Sequence, residues 1–477
     1  MQVCVSNFLK VGAETAAEVE ALERAKRSLE MDNPKFQKLV NLGKSTWNVP
    51  ERLVFHRGNK LPRGYAMEFA REIQGIPCEW IDFRNHLPEE HFVFQGELRT
   101  YQKEALASTA KVSQGIIVAP CGSGKTIMAM KLIEEKKQPT IFLVHTKDLL
   151  NQAAEAVRTW LGEDPGIIGD GKREIRRVTI ATIQSLRHED KCEDLLMRFG
   201  MLIVDECHHV PALTFTDVIS RFPAKFRYGL TATPERSDGL ERVINLVLGE
   251  VLHTITHEDL EDSGMLVKPV IGWVQTNFTY AYEDDYQNMI SAVTQDSSRN
   301  ECILRLCKAV FKKNRKALLL SSRVSHCKIL FDSLCHQGFQ DRVLLVTGST
   351  KKSERQSRIE QMRDGKFDIL IASNIADEGL DIPILDTLIL ATPFRAKSKA
   401  LQRIGRILRP HGDKEAPLVV DFFDKKTPIL QFQAWARHSE VYSEIADNPD
   451  PPSKPQYIIP EEGERSEKLL KQQALAY

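Results

Sequence analysis

The residues with the clearest chemical potential follow a short run of β-branched side chains. Residues 116–118 predict a strand, and the sequence APCGSGKT at 119–126 predicts a loop that leads into a helix. A strand, a glycine-rich loop and a helix N-terminus together form a cradle for nucleotide phosphates. Lys125 can reach the β- and γ-phosphates, and the Thr126 hydroxyl can ligate Mg²⁺. The nucleotide-binding residues predicted in this loop are Cys121, Gly122, Ser123, Gly124, Lys125 and Thr126.

Two adjacent carboxylates lie about 80 residues after the loop. An apolar strand is predicted over 201–204, and Asp205 and Glu206 follow it directly, at the edge of a parallel sheet where ligands bind. Asp205 can hold Mg²⁺, and Glu206 can orient and deprotonate the water that attacks a γ-phosphate. An acidic pair after a strand is also a common solvated strand end. Its spacing from the glycine loop favours the catalytic interpretation.

Composition limits the class of protein. The 477 residues are 42% hydrophobic and 27% charged, as is typical of a soluble globular protein with about two to four domains. The 65 basic and 65 acidic residues balance, so any nucleic-acid site must be a local patch. The nine cysteines contain no CxxC pair, which argues against a zinc site and a disulfide framework. Without a membrane-length apolar run or a signal peptide, we expect a cytoplasmic protein of phage or bacterial cytosol, not secreted and with no membrane partner.

Strand and helix patterns alternate through two long parts of the chain, which predicts an α/β fold. Continuous apolar runs indicate parallel sheets, so we expect two doubly wound domains after a small α+β domain. The expected boundaries are 1–94, 95–264 and 265–445, with a charged tail at 446–477. The predicted strands are 116–119, 141–144, 178–182, 201–204 and 228–231 in the first doubly wound domain, and 317–321, 343–347, 367–372, 387–391 and 418–422 in the second.

The N-terminal domain mixes basic and aromatic residues. Val3 and Val5, with Phe8, predict a short strand, and residues 14–31 predict a helix. The mixture that follows can stack bases and neutralise phosphates. It can equally be an aromatic core with a solvated basic face, and the sequence leaves both interpretations open. The residues concerned are Lys35, Phe36, Lys38, Lys44, Trp47, Arg52, Phe55, Arg57, Lys60 and Arg63.

Several motifs in order now resemble one family. The glycine loop, DECH at 205–208, LTATPER at 230–236 and LQRIGRILRP at 401–410 resemble the superfamily 2 helicases and translocases. The likeness covers Leu98 to about Asp424, and the order of the motifs is more specific than any one of them. It implies two tandem RecA-like domains and an ATP hydrolase that uses ATP and Mg²⁺.

The resemblance implies further nucleotide contacts. Gln102 in LRTYQKEAL resembles the residue that recognises adenine, since an amide offers both a donor and an acceptor. Arg99 would stack on the base. In ASNIADEGLDIP, Gly379 permits a tight turn and Asp381 is suited to the ribose hydroxyls.

Coupling and DNA contacts are implied in the same way. Thr231 and Thr233 would link hydrolysis to movement, and His208 would sense the same contacts. Gln402 replaces the His often found at the start of its motif, as in DExH-type members, and points away from the DEAD-box RNA helicases. The implied DNA-binding residues are Thr146, Thr182, Gln184, Ser322, Arg323, Thr347 and Gly348.

Arg406 and Arg409 are expected one helical turn apart on one helix face. The resemblance implies that they stabilise charge on the γ-phosphate bound by the first doubly wound domain, which would tie hydrolysis to domain closure. The alternative is the basic face of an ordinary amphipathic helix.

Residues 231–251, which include the coupling motif and continue beyond it, and EGLDIP at 378–383 resemble the XPB, RadD and UvsW group. Residues 33–70 resemble the phage branch-migration helicases of that group. The resemblance implies a monomeric DNA helicase or translocase. Its partners would be single-stranded and branched duplex DNA, such as forks and Holliday junctions, bound mainly through the phosphate backbone. The alternatives are the motor subunit of a restriction or defence system and a DNA-binding scaffold switched by ATP.

Overall fold

A computed structural model shows how the chain folds. It describes residues 1–187, 193–207, 212–232, 240–282, 285–373, 382–408, 411, 416–447 and 449–450. The chain divides into two units, Met1–Thr256 and His257–Tyr477. Within the described residues, no helix is both long and apolar enough to cross a membrane.

The first unit begins with a small α+β fold, which confirms that part of the predicted fold class. Its elements are β1 (Gln2–Val5), β2 (Phe8–Gly12), α1 (Ala16–Ser28), β3 (Glu30–Asp32), α2 (Pro34–Asn41), β4 (Arg52–Val54), β5 (Lys60–Pro62), a 3₁₀ turn (Arg63–Tyr65), α3 (Ala66–Glu72) and β6 (Glu79–Asp82). Four strands form a mixed sheet in the order β5-β2-β1-β6, and β3 pairs with β4 in a separate two-stranded sheet. The placement of Phe8 in the first strand was wrong, because the chain turns at Ser6 and Phe8 begins the antiparallel partner of β1.

The first doubly wound domain follows. Its strands are β7 (Gln114–Val118), β8 (Thr140–Val144), β9 (Gly166–Gly169), β10 (Lys172–Arg173), β11 (Val178–Thr182), β12 (Met201–Asp205), β13 (Phe226–Thr231) and β14 (Val251–Thr254). The sheet order is β10-β9-β11-β8-β12-β13-β7-β14, and only the β9–β10 pair among the described strands is antiparallel. Its helices are α4 (Thr100–Ala107), α5 (Lys125–Lys136), α6 (Lys147–Leu161), α7 (Ile183–Arg187), α8 (Glu193–Leu196), α9 (Ala212–Ile219) and α10 (Glu241–Leu248). The five predicted strands are confirmed to within two residues at each end.

The N-terminal fold is docked on this domain by a buried arginine. Arg63 Nε donates to Gln114 Oε1 at 2.8 Å, and its Nη1 donates to the Ala224 carbonyl oxygen at 2.5 Å. Leu246 of α10 is buried in the core of the N-terminal fold, beside Val3 and Phe69 among others. The first doubly wound domain therefore contributes one residue, Leu246, to the core of the N-terminal fold.

Gly64 lies in the same contact, and replacing it should destabilise the docking. A Cβ there would meet the Asn245 carbonyl oxygen at 2.1 Å and the Leu246 backbone at 2.6 Å, and backbone atoms cannot rotate away as a side chain can. We expect Gly64→Ala to cost about 1–3 kcal/mol and to lower the Tm of the first unit by about 2–4 °C per kcal/mol, measured by differential scanning calorimetry. Gly12→Ala is the matched control, since its Cβ would meet atoms no closer than 3.7 Å. Equal Tm values for both variants would contradict the prediction.

The second unit contains the second doubly wound domain. Its strands are β15 (Val270–Thr276), β16 (Ala317–Leu320), β17 (Val343–Val346), β18 (Ile369–Ala372), β19 (Thr387–Leu390) and β20 (Leu418–Asp424), which form a parallel sheet in the order β15-β20-β19-β16-β18-β17. Its helices are α11 (His257–Asp262), α12 (Tyr286–Gln295), α13 (Ser297–Lys312), α14 (Val324–His336), α15 (Lys352–Arg363), α16 (Lys397–Ile404), α17 (Pro428–Arg437) and α18 (Ser443–Ile445). The predicted pair of parallel-sheet domains is thus confirmed.

Candidate active site

The predicted phosphate loop joins strand β7 to helix α5. Gly122 and Gly124 have φ angles of 88° and 81°, in the left-handed region that glycine adopts without strain. A Cβ at Gly124 would lie 2.5 Å from the Gln102 side-chain nitrogen, so a larger residue there would displace the Gln102 side chain. Helix α5 begins at Lys125, and its first N–H groups have no partner within the helix. The loop therefore has the backbone of an anion-binding site, with Thr126 in the first turn of the helix.

The Lys125 side chain links this loop to the acidic pair. Its Nζ lies 3.3 Å from Glu206 Oε1 and donates to the Ala119 carbonyl oxygen at 3.1 Å. Burial is the largest single influence and opposes the positive charge, but Glu206, Cys121 and Asp205 together outweigh it and the pKa of Lys125 is raised. The structure thus brings together residues that lie about 80 positions apart in the sequence.

Asp205 is the last residue of β12, and Glu206 turns away from the strand. Glu206 has a φ of 47°, a strained value for a residue with a side chain, and such strain is often found at functional sites. Its N–H donates to Asp205 Oδ1 at 3.0 Å. Burial, and then the charge of Glu206, raise the pKa of Asp205 to about 6. The site therefore concentrates two carboxylates against one lysine.

Gln102 supports the loop from helix α4. Its Nε2 donates to the Ser123 carbonyl oxygen at 2.8 Å, and its Oε1 accepts from the Arg99 N–H at 3.0 Å. Tyr101, which the sequence did not single out, also donates to the Ser123 carbonyl oxygen, at 3.1 Å. Both ends of the Gln102 amide are thus engaged within the chain, and its contact with adenine stays a prediction. Nothing in the sequence beyond adjacency to Gln102 signals the role of Tyr101.

The stretch after strand β13 contacts the same acidic residue. The Ala232 N–H donates to Glu206 Oε2 at 3.4 Å, and the Thr231 carbonyl oxygen accepts from the Ala119 N–H at 2.8 Å. A change at Glu206 can therefore reach β13 through a single hydrogen bond. Thr233 and His208, the other predicted coupling residues, lie outside the described residues.

Two of the predicted DNA-contacting threonines are helix caps. Thr146 accepts from the Leu149 N–H at 3.3 Å at the start of α6, and Thr182 accepts from the Ser185 N–H at 3.3 Å before α7. Gln184 lies exposed in the first turn of α7. Both threonines therefore lie beside helix N-termini, where backbone N–H groups can bind phosphate. Their contact with DNA stays a prediction.

In the second unit, a chain of hydrogen bonds holds the turn that contains Ser322 and Arg323. His326 Nε2 donates to Asn300 Oδ1 at 2.8 Å, and its Nδ1 accepts from the Ser321 hydroxyl at 2.9 Å. The Ser321 oxygen in turn accepts from the Arg323 N–H at 3.2 Å. Burial lowers the pKa of His326, so the ring is neutral at pH 7 and its Nδ1 is the acceptor in this pair. The backbone of the turn is therefore held by buried side chains, while Ser322 itself is exposed.

The neutral His326 predicts a pH dependence of stability. Burial, and then the charge of Arg299, lower the pKa of His326 to about 3, whereas an unfolded histidine titrates near 6.5. Between these values the unfolded state binds more protons, so the free energy of unfolding should fall as pH falls below about 6.5. We expect His326 to contribute about 2 kcal/mol of this loss between pH 7.5 and pH 5.

Urea titrations of the wild type and of His326→Gln at the two pH values measure this contribution. The variant should lose less stability on acidification than the wild type, whatever its stability at pH 7.5. His411→Gln, at an exposed position of the same unit, is the control and should keep the wild-type dependence. An unchanged dependence in His326→Gln would contradict the prediction.

Thr347 and Gly348 form a turn after strand β17. Thr347 is 2% exposed, and its hydroxyl lies 2.9 Å from the Ser349 hydroxyl. Gly348 and Ser349 are exposed. The turn therefore presents its backbone, more than the Thr347 side chain, to solvent, and a contact with DNA stays a prediction.

Arg406 lies beyond the helix on which it was expected. Helix α16 ends at Ile404, and the Arg406 N–H bonds back to the Arg403 carbonyl oxygen in a tight turn. The expected helical position was wrong, and Gly405 explains the end of the helix because glycine has low helix propensity. Gln402 is buried in α16. Arg409, Gly379 and Asp381 lie outside the described residues.

Comparison with known proteins now places this geometry in a family. Two family models match in succession, "Type III restriction enzyme, res subunit" over residues 95–236 and "Helicase conserved C-terminal domain" over residues 299–411. The chain belongs to superfamily 2 of the helicases and translocases. As a superfamily 2 enzyme, it hydrolyses ATP.

Similar proteins agree with this assignment. The "DNA 3'-5' translocase XPB2" of Sulfurisphaera tokodaii is 29% identical, over 68% of this chain and 81% of the relative. The "Putative ATP-dependent RNA helicase L396" of Acanthamoeba polyphaga mimivirus is 27% identical over 74% of this chain and 69% of the relative. A solved fragment of a putative HsdR subunit of a type I restriction enzyme from Vibrio vulnificus has the same fold, with a TM-score of 0.57, 19% identity and coverage of 75% of this chain and 68% of the fragment.

Proposed function

We propose that this enzyme is an ATP-driven DNA translocase that remodels branched duplexes such as forks and Holliday junctions. The observation that carries the proposal is the docking of the N-terminal fold on the ATP-binding domain through Arg63 and through Leu246, which is buried in the N-terminal core. A second fold attached in this way moves with the domain that binds the nucleotide. A duplex bound to the N-terminal fold would therefore be moved in each ATP cycle. The similarity to a DNA translocase along two thirds of the chain supports DNA as the substrate.

The site fits ATP with a divalent cation. Among the described residues, the buried Ser123 hydroxyl has no hydrogen-bond partner, which suits a loop that binds an oxyanion. The carboxylate of Asp205 and the hydroxyl of Thr126 are the ligand types that Mg²⁺ prefers. We assign Mg²⁺ to these two residues, where it would neutralise charge on the phosphates.

The proposed chemistry assigns one step to each group. Lys125 exchanges its contact with Glu206 for the β- and γ-phosphates, which leaves the Glu206 carboxylate able to orient a water and accept its proton. Arg406 and Arg409 stabilise the charge that develops on the γ-phosphate. The hydrogen bond from the Ala232 N–H to Glu206 couples this event to β13.

Strand separation and branch migration test the proposal. We expect ATP turnover to rise strongly with DNA and four-way junctions to be resolved faster than linear duplexes. Parallel reactions with RNA duplexes test RNA as a substrate, because the name of the mimivirus relative describes an RNA helicase. Junctions left intact while RNA duplexes are separated would overturn the proposed substrate, and ATP turnover unaffected by DNA would favour an ATP-switched scaffold.

A second candidate function is the motor subunit of a restriction or defence system. The match of residues 95–236 to a restriction-enzyme subunit model favours it. The two candidates differ in assembly, because a motor subunit needs a partner that recognises a DNA sequence. Junction processing by the chain alone would support the autonomous translocase.

A further inference from the structure

The N-terminal fold contains a long segment without a core of its own. Residues 34–60, which we call the outer segment and all of which the structure describes, include no buried residue. Four large apolar side chains of this outer segment are more than two-fifths exposed. They are Val40, Leu42, Trp47 and Val54. Trp47 stands out with an exposure of 83%, because leaving so large an apolar side chain in water has a free-energy cost that contact with a partner would remove.

The loop that presents Trp47 is nevertheless held in place. Asn33, which is buried, accepts from the Lys35 N–H at 3.0 Å and donates to the Pro50 carbonyl oxygen at 2.8 Å. The Trp47 N–H donates to the Ser45 hydroxyl at 3.3 Å. The loop between α2 and β4 is therefore closed at its base by Asn33, and Trp47 lies within this loop.

The charge of the outer segment indicates what it contacts. The segment contains six lysines and arginines against one carboxylate, Glu51, although the whole chain has no net charge. All six cations are exposed, and they are Lys35, Lys38, Lys44, Arg52, Arg57 and Lys60. Arg52 also pairs with Glu30 of β3 at 3.0 Å, so the excess of positive charge lies mainly on the other five. A local positive field around an exposed aromatic ring matches a polyanion with stacked rings, that is, nucleic acid.

We propose that the outer segment binds DNA at a branch point, where Trp47 stacks on the exposed base pair and the surrounding cations contact the phosphates. The base pair at the opening of a fork has one face without a stacking neighbour, whereas each base pair in the interior of a duplex is stacked on both faces. The segment thereby distinguishes a branch point from the interior of a duplex. This inference rests on the proposed function, which it extends by naming the feature that the N-terminal fold recognises.

Binding measurements on Trp47→Ala test the stacking. Its affinity for a labelled fork or four-way junction, measured by fluorescence anisotropy, should fall by about 5- to 150-fold, the range expected for the loss of one stacked base. Trp47→Phe should keep most of the affinity, since it also offers a ring. Because Trp47 is 83% exposed, its replacement leaves the fold intact. Phe83→Ala is the matched control, an aromatic residue of the same fold that is 62% exposed but lies outside the segment.

A second variant tests the phosphate contacts. Lys44→Gln should weaken binding to linear and branched duplexes alike and reduce the slope of log affinity against log salt by about 0.9. Trp47→Ala should leave that slope unchanged, because the ring carries no charge. The two variants thus separate stacking from charge.

The outcomes distinguish this inference from the proposed function. In Trp47→Ala, ATP turnover stimulated by single-stranded DNA should equal that of the wild type, while fork affinity falls. A fork affinity equal to that of the wild type would overturn the inference and leave a protein partner as the occupant of this surface. If the wild type itself shows neither DNA-stimulated turnover nor junction processing, the proposed function fails and the inference with it.

Discussion

Replacing Glu206 with Gln should slow ATP hydrolysis by about 100- to 10,000-fold and leave ATP binding intact. The amide keeps the size of the side chain and can still accept the Ala232 N–H, which lies 3.4 Å from Glu206 Oε2. It cannot take up a proton from water. It also cannot form the ion pair with Lys125, now 3.3 Å away, so the lysine stays available for the phosphates. Phosphate release with saturating DNA and titration with a fluorescent nucleotide measure the two quantities.

A matched control removes a carboxylate that has no part in this chemistry. Glu104→Gln, at an exposed position of helix α4, should hydrolyse ATP at the wild-type rate. If Glu206→Gln also hydrolysed ATP at that rate, another group would have to accept the proton.

The second large effect is expected for Arg406→Ala, which should lower kcat for ATP by about 100- to 1,000-fold with little change in ATP affinity. We propose that Arg406 stabilises negative charge that develops on the γ-phosphate only in the transition state. An interaction of that kind affects kcat and not ground-state binding. The position of Arg406 in a turn after α16, instead of on the helix, does not alter this expectation. Steady-state kinetics with saturating DNA supply kcat, and equilibrium titration supplies the affinity.

Lys399→Ala removes an exposed cation from helix α16, which precedes the turn of Arg406, and it should leave kcat unchanged. A parallel loss in both variants would indicate a general basic surface, the alternative that the sequence left open. An Arg406→Ala variant with normal turnover would assign the transition-state charge to other residues.

The sequence predicted the sheets well because buried parallel strands are recognisable in it as short, mostly apolar runs. Strand β11 matches its predicted bounds, Val178–Thr182, and strands β12 and β16 differ by one residue at one end. Each is a short run of apolar residues bounded by polar ones. The glycine loop and the acidic pair were also placed correctly at the carboxyl ends of β7 and β12, since parallel strands bring their carboxyl ends to one edge of a sheet.

Edge strands and tertiary contacts were beyond the sequence. Strands β14 and β15 went unpredicted; both lie at the edge of a sheet and are only partly buried. The end of α16 before Arg406 depends on one glycine in an otherwise helical pattern. The bonds of Gln102 and Tyr101 to the Ser123 carbonyl oxygen depend on how α4 lies against the loop, and spacing along the chain does not encode that.

The burial of Leu246 within the N-terminal core has a consequence for how this protein can change. A fold whose core includes a residue of its neighbour cannot be removed or exchanged as a module, because each piece would be left with an exposed apolar surface. Gly64 tightens that restriction, since α10 of any new host would have to accept a backbone at the same close distance. Recombination between related motors should therefore exchange the N-terminal fold and α10 together, and chimaeras joined between them should be recovered mainly as aggregates.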